Sequence, residues 1–300
     1  MNKTKVIYSL ETNDPDDYFN LAFLCSHPQI DLKGVTICPG SPEQVGIVKH
    51  VLNYTGKTDV LVGVPDPKQY TFKSIGANQI VSNFHYKVIK QLKPNYSAIE
   101  SNKVFFNIIK EHPDVVVITG GPVTDVATFL KKYPDMTIAK WVGQGGFAGD
   151  NVVAEEDILP KFKGKTSCRT FNFCQDSASA NFLLETDQIK EKVLVSKNVC
   201  HGMYYDKALH ERMKAHRDKY KGLELIVDGM EVYLEGKPKG KLFHDPLAST
   251  VIVDNTVCDF KRVKLYYKNG EYGAELDNKS DVIISVKADK EKFFKALSCQ

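Results

Sequence analysis

Val6-Ile7-Tyr8-Ser9-Leu10 reads as a buried strand, and it runs directly into Glu11-Thr12-Asn13-Asp14-Pro15-Asp16-Asp17. Four carboxylates within seven residues repel one another unless a proton or a cation sits among them. A helix over Tyr18 to Ser26 would carry Asp16 and Asp17 at its start, but an N-cap needs only one acid. Strand, acidic loop and helix start, in that order, put the carboxylates at the carboxyl end of a sheet. Open α/β folds keep their ligands there. With oxygen as the only donor type, the cation suited to such a loop is Ca²⁺ or Mg²⁺.

The rest of the chain fits around that start. Strand-like runs at Ile30 to Ile37, Val60 to Val64, Asp114 to Thr119, Thr137 to Val142 and Lys192 to Ser196 alternate with helical ones. The helical segments are Glu43 to Tyr54, Ser97 to Lys110, one from Val123, Ser177 to Glu185, Tyr205 to Tyr220 and Leu223 to Leu234. This alternation predicts an α/β fold with an open, mostly parallel sheet flanked by helices. Lys68 to Asn95 has no clear pattern, though His85 falls on a helix there. The C-terminal part is β-rich, with Phe260 to Tyr267 and Tyr272 to Leu276 joined at Asn269-Gly270, a hairpin signal. Val282 to Val286 and a last helix, Lys290 to Leu297, follow. No repeat or linker divides the 300 residues, so a single large domain, 1–300, is expected. The polar stretch Glu155 to Arg169 reads as a surface excursion.

A net charge of +3 gives no reason to expect nucleic acid as a partner. No apolar run reaches the roughly 18 residues that span a membrane. Seven cysteines lack CxxC or zinc spacing, which suits free thiols in a reducing compartment. Met1 to Lys5 shows no signal-peptide core, so the expected location is cytoplasmic.

Four elements converge on the rim at the strand ends: the acidic loop, Thr119 before Gly120-Gly121-Pro122, the glycine-dense Gly143 to Asn151 with Asn172 beyond it, and His244-Asp245. The ordered set resembles the nucleoside hydrolase family, inosine/uridine-preferring enzymes that cleave the N-glycosidic bond of ribonucleosides. The acidic loop is similar to the family's D-x-D-P-G-x-D-D, Ile118 to Asp125 to its T-G-G-x-T-N turn, and Val142 to Gly146 to its M-G-G-G loop. Phe171-Asn172 with Asp176 is similar to its E-F-N…D-P-E-A segment, and His244-Asp245-Pro246 to its H-D-P.

The resemblance implies a Ca²⁺ held by Asp17, Asp245 and the main-chain oxygen of Thr119, with Asp14 as a further ligand. It implies ribose held by Asp16, Asn172, Asn151 and Asn13, and His244 as proton donor to the leaving base. It also implies a role in purine or pyrimidine salvage and assembly as a dimer or tetramer. The first loop is one residue shorter than the family pattern, so Glu11, Asn13 and Asp14 compete for the water-activating position. Asn cannot act as a base, which leaves Asp14 as the expected residue and Glu11 second. Ser41 stands where the family has Asn, and Thr170 where it has Glu. Residues 152–170 form an insertion whose Lys161, Lys163, Lys165 and Arg169 read either as a solvated loop or as a lid or patch for an anionic group such as a 5′-phosphate. His201 reads as a buried structural histidine or a second acid. Two other functions compete: a ribonucleoside-binding protein without turnover, and a metal-dependent phosphohydrolase built on Asp14, Asp16 and Asp17.

Overall fold

The computed structural model describes residues 3–68 and 81–300. The first half runs β1 (Thr4–Leu10), α1 (Pro15–Ser26), β2 (Ile30–Ile37), α2 (Pro42–Tyr54), β3 (Leu61–Val64), α3 (Asn83–Val88), β4 (Ile99–Glu100), α4 (Ser101–Glu111), β5 (Val116–Thr119), α5 (Thr124–Lys132) and β6 (Ile138–Gln144). There follow β7 (Ser167–Cys168), α6 (Phe171–Gln175), α7 (Ser177–Glu185), β8 (Ile189–Val195), α8 (Lys197–Cys200), β9 (Tyr204–Tyr205), α9 (Lys207–Lys214), α10 (Lys221–Gly236), β10 (Lys241–Leu242) and α11 (His244–Thr250). The chain closes with β11 (Cys258–Lys268), β12 (Glu271–Leu276), β13 (Val282–Ala288) and α12 (Lys290–Ser298).

Among the described residues, eleven strands make one sheet, in the order β4-β3-β2-β1-β5-β6-β8-β13-β11-β12-β7. From β4 to β13 every neighbouring pair is parallel. β11, β12 and β7 extend the edge antiparallel. β1 lies between β2 and β5, where the order of connection reverses, and that reversal opens a crevice beyond their carboxyl ends. Val6 to Leu10 are buried throughout, as a strand covered on both faces requires. Val6, Tyr8 and Leu10 join one core cluster with Phe19 and Phe23, while Ile7 joins the other with Phe105, Phe129, Trp141 and Phe173. Successive side chains on a strand point to opposite faces.

Local chemistry sets the ends of these elements. Pro15 begins α1, and Asp16 and Asp17 sit in its first turn, at the positive end of the helix dipole. Asn269 and Gly270, with φ of 53° and 80°, make the two-residue turn between β11 and β12. Beneath the rim, Asp125 of α5 accepts hydrogen bonds from Ser9 (2.9 Å) and Thr36 (2.5 Å), which locks the ends of β1 and β2 to that helix.

Two segments differ from expectation. Tyr205 to Tyr220 is not one helix: Tyr204 and Tyr205 pair with Leu242 and Lys241 in a small antiparallel ladder. The Asp206 side chain then caps α9 by accepting from Leu209 N at 2.9 Å. The excursion from Glu155 to Arg169 is polar between its anchors, yet Ile158 and Phe162 are buried, as are Val152 and Val153 before it. Phe162 packs edge-on to Phe147 at 5.2 Å, and β7 joins the sheet through β12. His85 lies on α3 as expected, while residues 69–80 of that unpatterned stretch fall outside the described residues. All seven cysteines are free, and no helix among the described residues is long and apolar enough to cross a membrane.

Candidate active site

A cavity of about 280 Å³ opens where the ends of β1, β5 and β6 meet the starts of α1, α6 and α11. Its floor is acidic. Tyr8 points up from β1 and its hydroxyl lies 3.3 Å from Asp17 Oδ1 and 3.0 Å from Asp245 Oδ2. Asp17 also accepts from the backbone N–H of Glu11 at 3.4 Å. Asp17 and Asp245 are both buried, and their carboxyls are pushed well above the usual carboxylate range. Burial is the main cause; the facing carboxylate Asp245 adds to it for Asp17, and Asp16 for Asp245. Burial, with Asp14 and Asp16, raises Glu11 to about 8.

Backbone geometry lets the acids come this close. A Cβ on Gly120 would lie 2.2 Å from Asp245 Oδ2 and 2.6 Å from the Tyr8 hydroxyl, so only glycine fits after β5. Thr12 adopts a φ of 85°, an unfavourable conformation for a β-branched residue, and Glu11 and Asn13 on either side of it both line the cavity. Gln44, in the capping box of α2, accepts from Ser41 N at 2.8 Å and donates to the Glu11 carbonyl, tethering the loop to that helix.

One cation was not anticipated. Lys241, in a strand of only two residues and buried, sits 2.8 Å from Asp14 Oδ1 and 3.3 Å from Asp16 Oδ1. Burial opposes its charge, but Asp16 and Asp14 outweigh that and raise its pKa. Asp14 still rises to about 6, through burial and Asp16, with Lys241 acting against them. The other Asp16 oxygen accepts from the backbone N–H groups of His244 (3.0 Å) and Asp245 (3.1 Å), anchoring the start of α11.

The opposite wall is basic. His244 Nδ1 lies 3.1 Å from Cys200 Sγ, and its ring is 4.8 Å from that of His201. His201 lines the cavity rather than the core, correcting the structural reading. Its Nδ1 is 2.6 Å from Lys161 Nζ, which comes from the excursion. Both imidazoles are pushed down to about 3, first by burial, then by Lys241 for His244 and by His244 itself for His201. Lys197, another lining residue, donates to Arg169 O at 2.6 Å.

Between the walls, Asn172 Nδ2 is 2.9 Å from Gly120 O and 2.7 Å from Gln144 Oε1, bridging the ends of β5 and β6. Thr119 is buried at the end of β5, with Oγ1 accepting from Trp141 Nε1 at 3.0 Å. Asn151 is turned elsewhere: it donates to Ala274 O on β12 at 2.7 Å and is not among the cavity-lining residues.

The inosine-uridine preferring nucleoside hydrolase family model matches residues 11–295. The chain belongs to that family. Solved structures with the same fold include a plant nucleoside hydrolase, 16% identical with a TM-score of 0.71 over 98% of each chain. An inosine-uridine preferring nucleoside hydrolase from Bacillus anthracis is 17% identical, with a TM-score of 0.69 over 99% of this chain and 98% of that one. An inosine-guanosine nucleoside hydrolase is 15% identical, with a TM-score of 0.73 over 98% and 97%. At such identities these likenesses speak for the fold alone. A search of curated proteins finds no match. Membership makes this chain an N-ribosyl hydrolase of a metal-dependent family.

The acidic floor fits a hard cation. Among the described residues no three His, Cys, Asp or Glu side chains are grouped to ligate an ion unaided. An ion here would therefore take main-chain oxygen beside the carboxylates of Asp17 and Asp245. The repulsion between those two carboxylates is what a divalent ion would relieve, and the all-oxygen donor set suits Ca²⁺ or Mg²⁺.

Proposed function

We propose that this nucleoside hydrolase cleaves the N-glycosidic bond of ribonucleosides with Ca²⁺ held by Asp17, Asp245 and the main-chain oxygen of Thr119. The observation that carries the reading is the meeting of Asp17 and Asp245 at the Tyr8 hydroxyl beneath the cavity. When bound, the cation would orient the attacking water and lower its pKa.

The chain's own groups do the rest. Glu11 lines the cavity beside Asp17 and takes the proton from water, whereas Asp14 is committed to Lys241. This reverses the preference the sequence suggested. Asp16 and Asn172 hold the ribose hydroxyls, Asp16 with the lone pairs left after it anchors α11. The buried carboxylates favour the positive charge that develops on the sugar ring. His244, held neutral, gives the departing base a hydrogen-bond donor. A panel of ribonucleosides assayed for reducing sugar tests this: release of free ribose is expected, and none with any member would refute it.

The Asp14–Lys241 pair favours a second reading, in which Asp14 rather than Glu11 is the residue needed as base, the ion pair withdraws it, and the protein binds ribonucleosides without turnover. Tight binding by calorimetry with no sugar released would identify it.

A further inference from the structure

The hydrolase reading accounts for the acidic floor but gives no work to the cations across from it. Lys161 and Lys197 have no carboxylate partner among the described residues, unlike Lys163, which pairs with Glu155 at 3.8 Å. Their hydrogen-bond partners are a neutral imidazole and a main-chain carbonyl, so both positive charges are left uncompensated at the cavity's edge. Between Arg169, which Lys197 touches, and Asn172 lies Thr170. It lines the cavity, is only 2% exposed, and its Oγ1 has no hydrogen-bond partner among the described residues. A buried hydroxyl without a partner is costly, and a ligand atom in the cavity would supply the missing bond.

From this juxtaposition we infer that Thr170, Lys197 and the Lys161–His201 pair form an anion subsite, and that the preferred substrate is a ribonucleoside 5′-monophosphate. The inference rests on the hydrolase reading and names its substrate class. A phosphomonoester dianion is the group suited to two unpaired ammonium ions and a hydroxyl donor. The acidic floor would repel it, so it must lie at the basic end. The sugar is the part of the substrate that carries it, because Thr170 is two residues from Asn172, which is assigned to the ribose. Water adds to the anomeric carbon and the N-glycosidic electron pair leaves with the base. One proton from water goes to Glu11, which returns it to solvent, and the departing base takes up one proton from solvent; the hydroxyl stays on the anomeric carbon, so the products are ribose 5-phosphate and free base. The phosphate ester stays intact.

The test compares kcat/KM for a ribonucleoside and its 5′-monophosphate, with calorimetry of inorganic phosphate in the presence of chelator to keep the divalent site out of the measurement. The intact protein is expected to favour the monophosphate by at least about tenfold and to bind inorganic phosphate. Lys161→Ala, Lys197→Ala and Thr170→Val should each lower the monophosphate-to-nucleoside ratio and weaken phosphate binding. Lys279→Ala, in the exposed turn after β12 and not among the cavity-lining residues, should change neither. If the nucleoside is hydrolysed but phosphate does not bind, or the ratio is unmoved in all three variants, the subsite is refuted and the hydrolase reading stands. If neither compound yields a reducing sugar, the hydrolase reading fails first. Release of inorganic phosphate in place of ribose 5-phosphate overturns the proposal.

Discussion

On one side of the cavity stand Glu11, Asp14, Asp16, Asp17 and Asp245, the last two meeting at the Tyr8 hydroxyl, and Lys241 is paired with Asp14 and Asp16. On the other, Lys161, Lys197, His201 and His244 crowd together, with no carboxylate among the described residues paired to either lysine. The acidic side is buried under the sheet's carboxyl end and built largely from one loop and one helix start. The basic side is assembled from the excursion and the segment after β8, nearer to solvent. Each side carries charge of one sign that its own residues do not cancel. The proposed reading uses that difference: a cation against the first, an anion against the second, and a sugar between.

The largest effect is expected on the acidic side. Asp245→Ala should lower ribose release about a thousandfold, the several kcal/mol that a bound cation contributes to the transition state. Without divalent ions, its melting temperature should match or exceed that of the intact protein, because one of two repelling carboxylates is gone. A normal rate would break the comparison. Lys241→Met leaves Asp16 buried without its cation and should destabilise the fold by about 3–5 kcal/mol in denaturant titrations. The loss should grow as pH rises through about 6, where Asp14 gives up its proton. Glu11→Gln should lower kcat about a hundredfold, as expected for loss of a general base, and Asp14→Asn should lower it less. The reverse order would return the base to Asp14.

The two sides should also respond oppositely to pH. Folding raises Glu11 from its ordinary value of 4.5 to about 8, so the native state holds the extra proton. In chelator, that contribution is full below about pH 4.5 and is lost as pH rises through 8. Folding lowers His201 and His244 from 6.5 to about 3, so their contribution is full above pH 6.5 and lost as pH falls through 3. Stability followed across pH 4 to 8 should show both slopes, and Ca²⁺ should flatten only the alkaline one. His201 or His244 imidazole signals that titrate near 6.5 would contradict the basic half.

Much of this was legible in the sequence where a local rule governs. The uninterrupted apolar β1 and β5, the Asn269-Gly270 turn and the Pro15 helix start all follow from neighbouring residues. The acidic loop was legible for the same reason, since its carboxylates are adjacent in the chain. The β9 ladder was not, because Tyr204 and Tyr205 take their pairing from Leu242 and Lys241, remote in sequence. Lys241 itself gave no signal: a single lysine in a two-residue strand has no pattern to betray its burial. His201 looked structural because its neighbours Lys161 and His244 are brought to it only by tertiary folding. Asn151 followed the family order of motifs, but β12 supplies a nearer acceptor at Ala274.

The cation pocket is tested most directly by treating the protein with chelator, assaying sugar release from a ribonucleoside, and then restoring Ca²⁺, in parallel with Asp17→Ala. Activity should vanish with chelation, return with Ca²⁺ in the intact protein and stay absent in the variant. Undiminished turnover in chelator, or in Asp17→Ala, would contradict it.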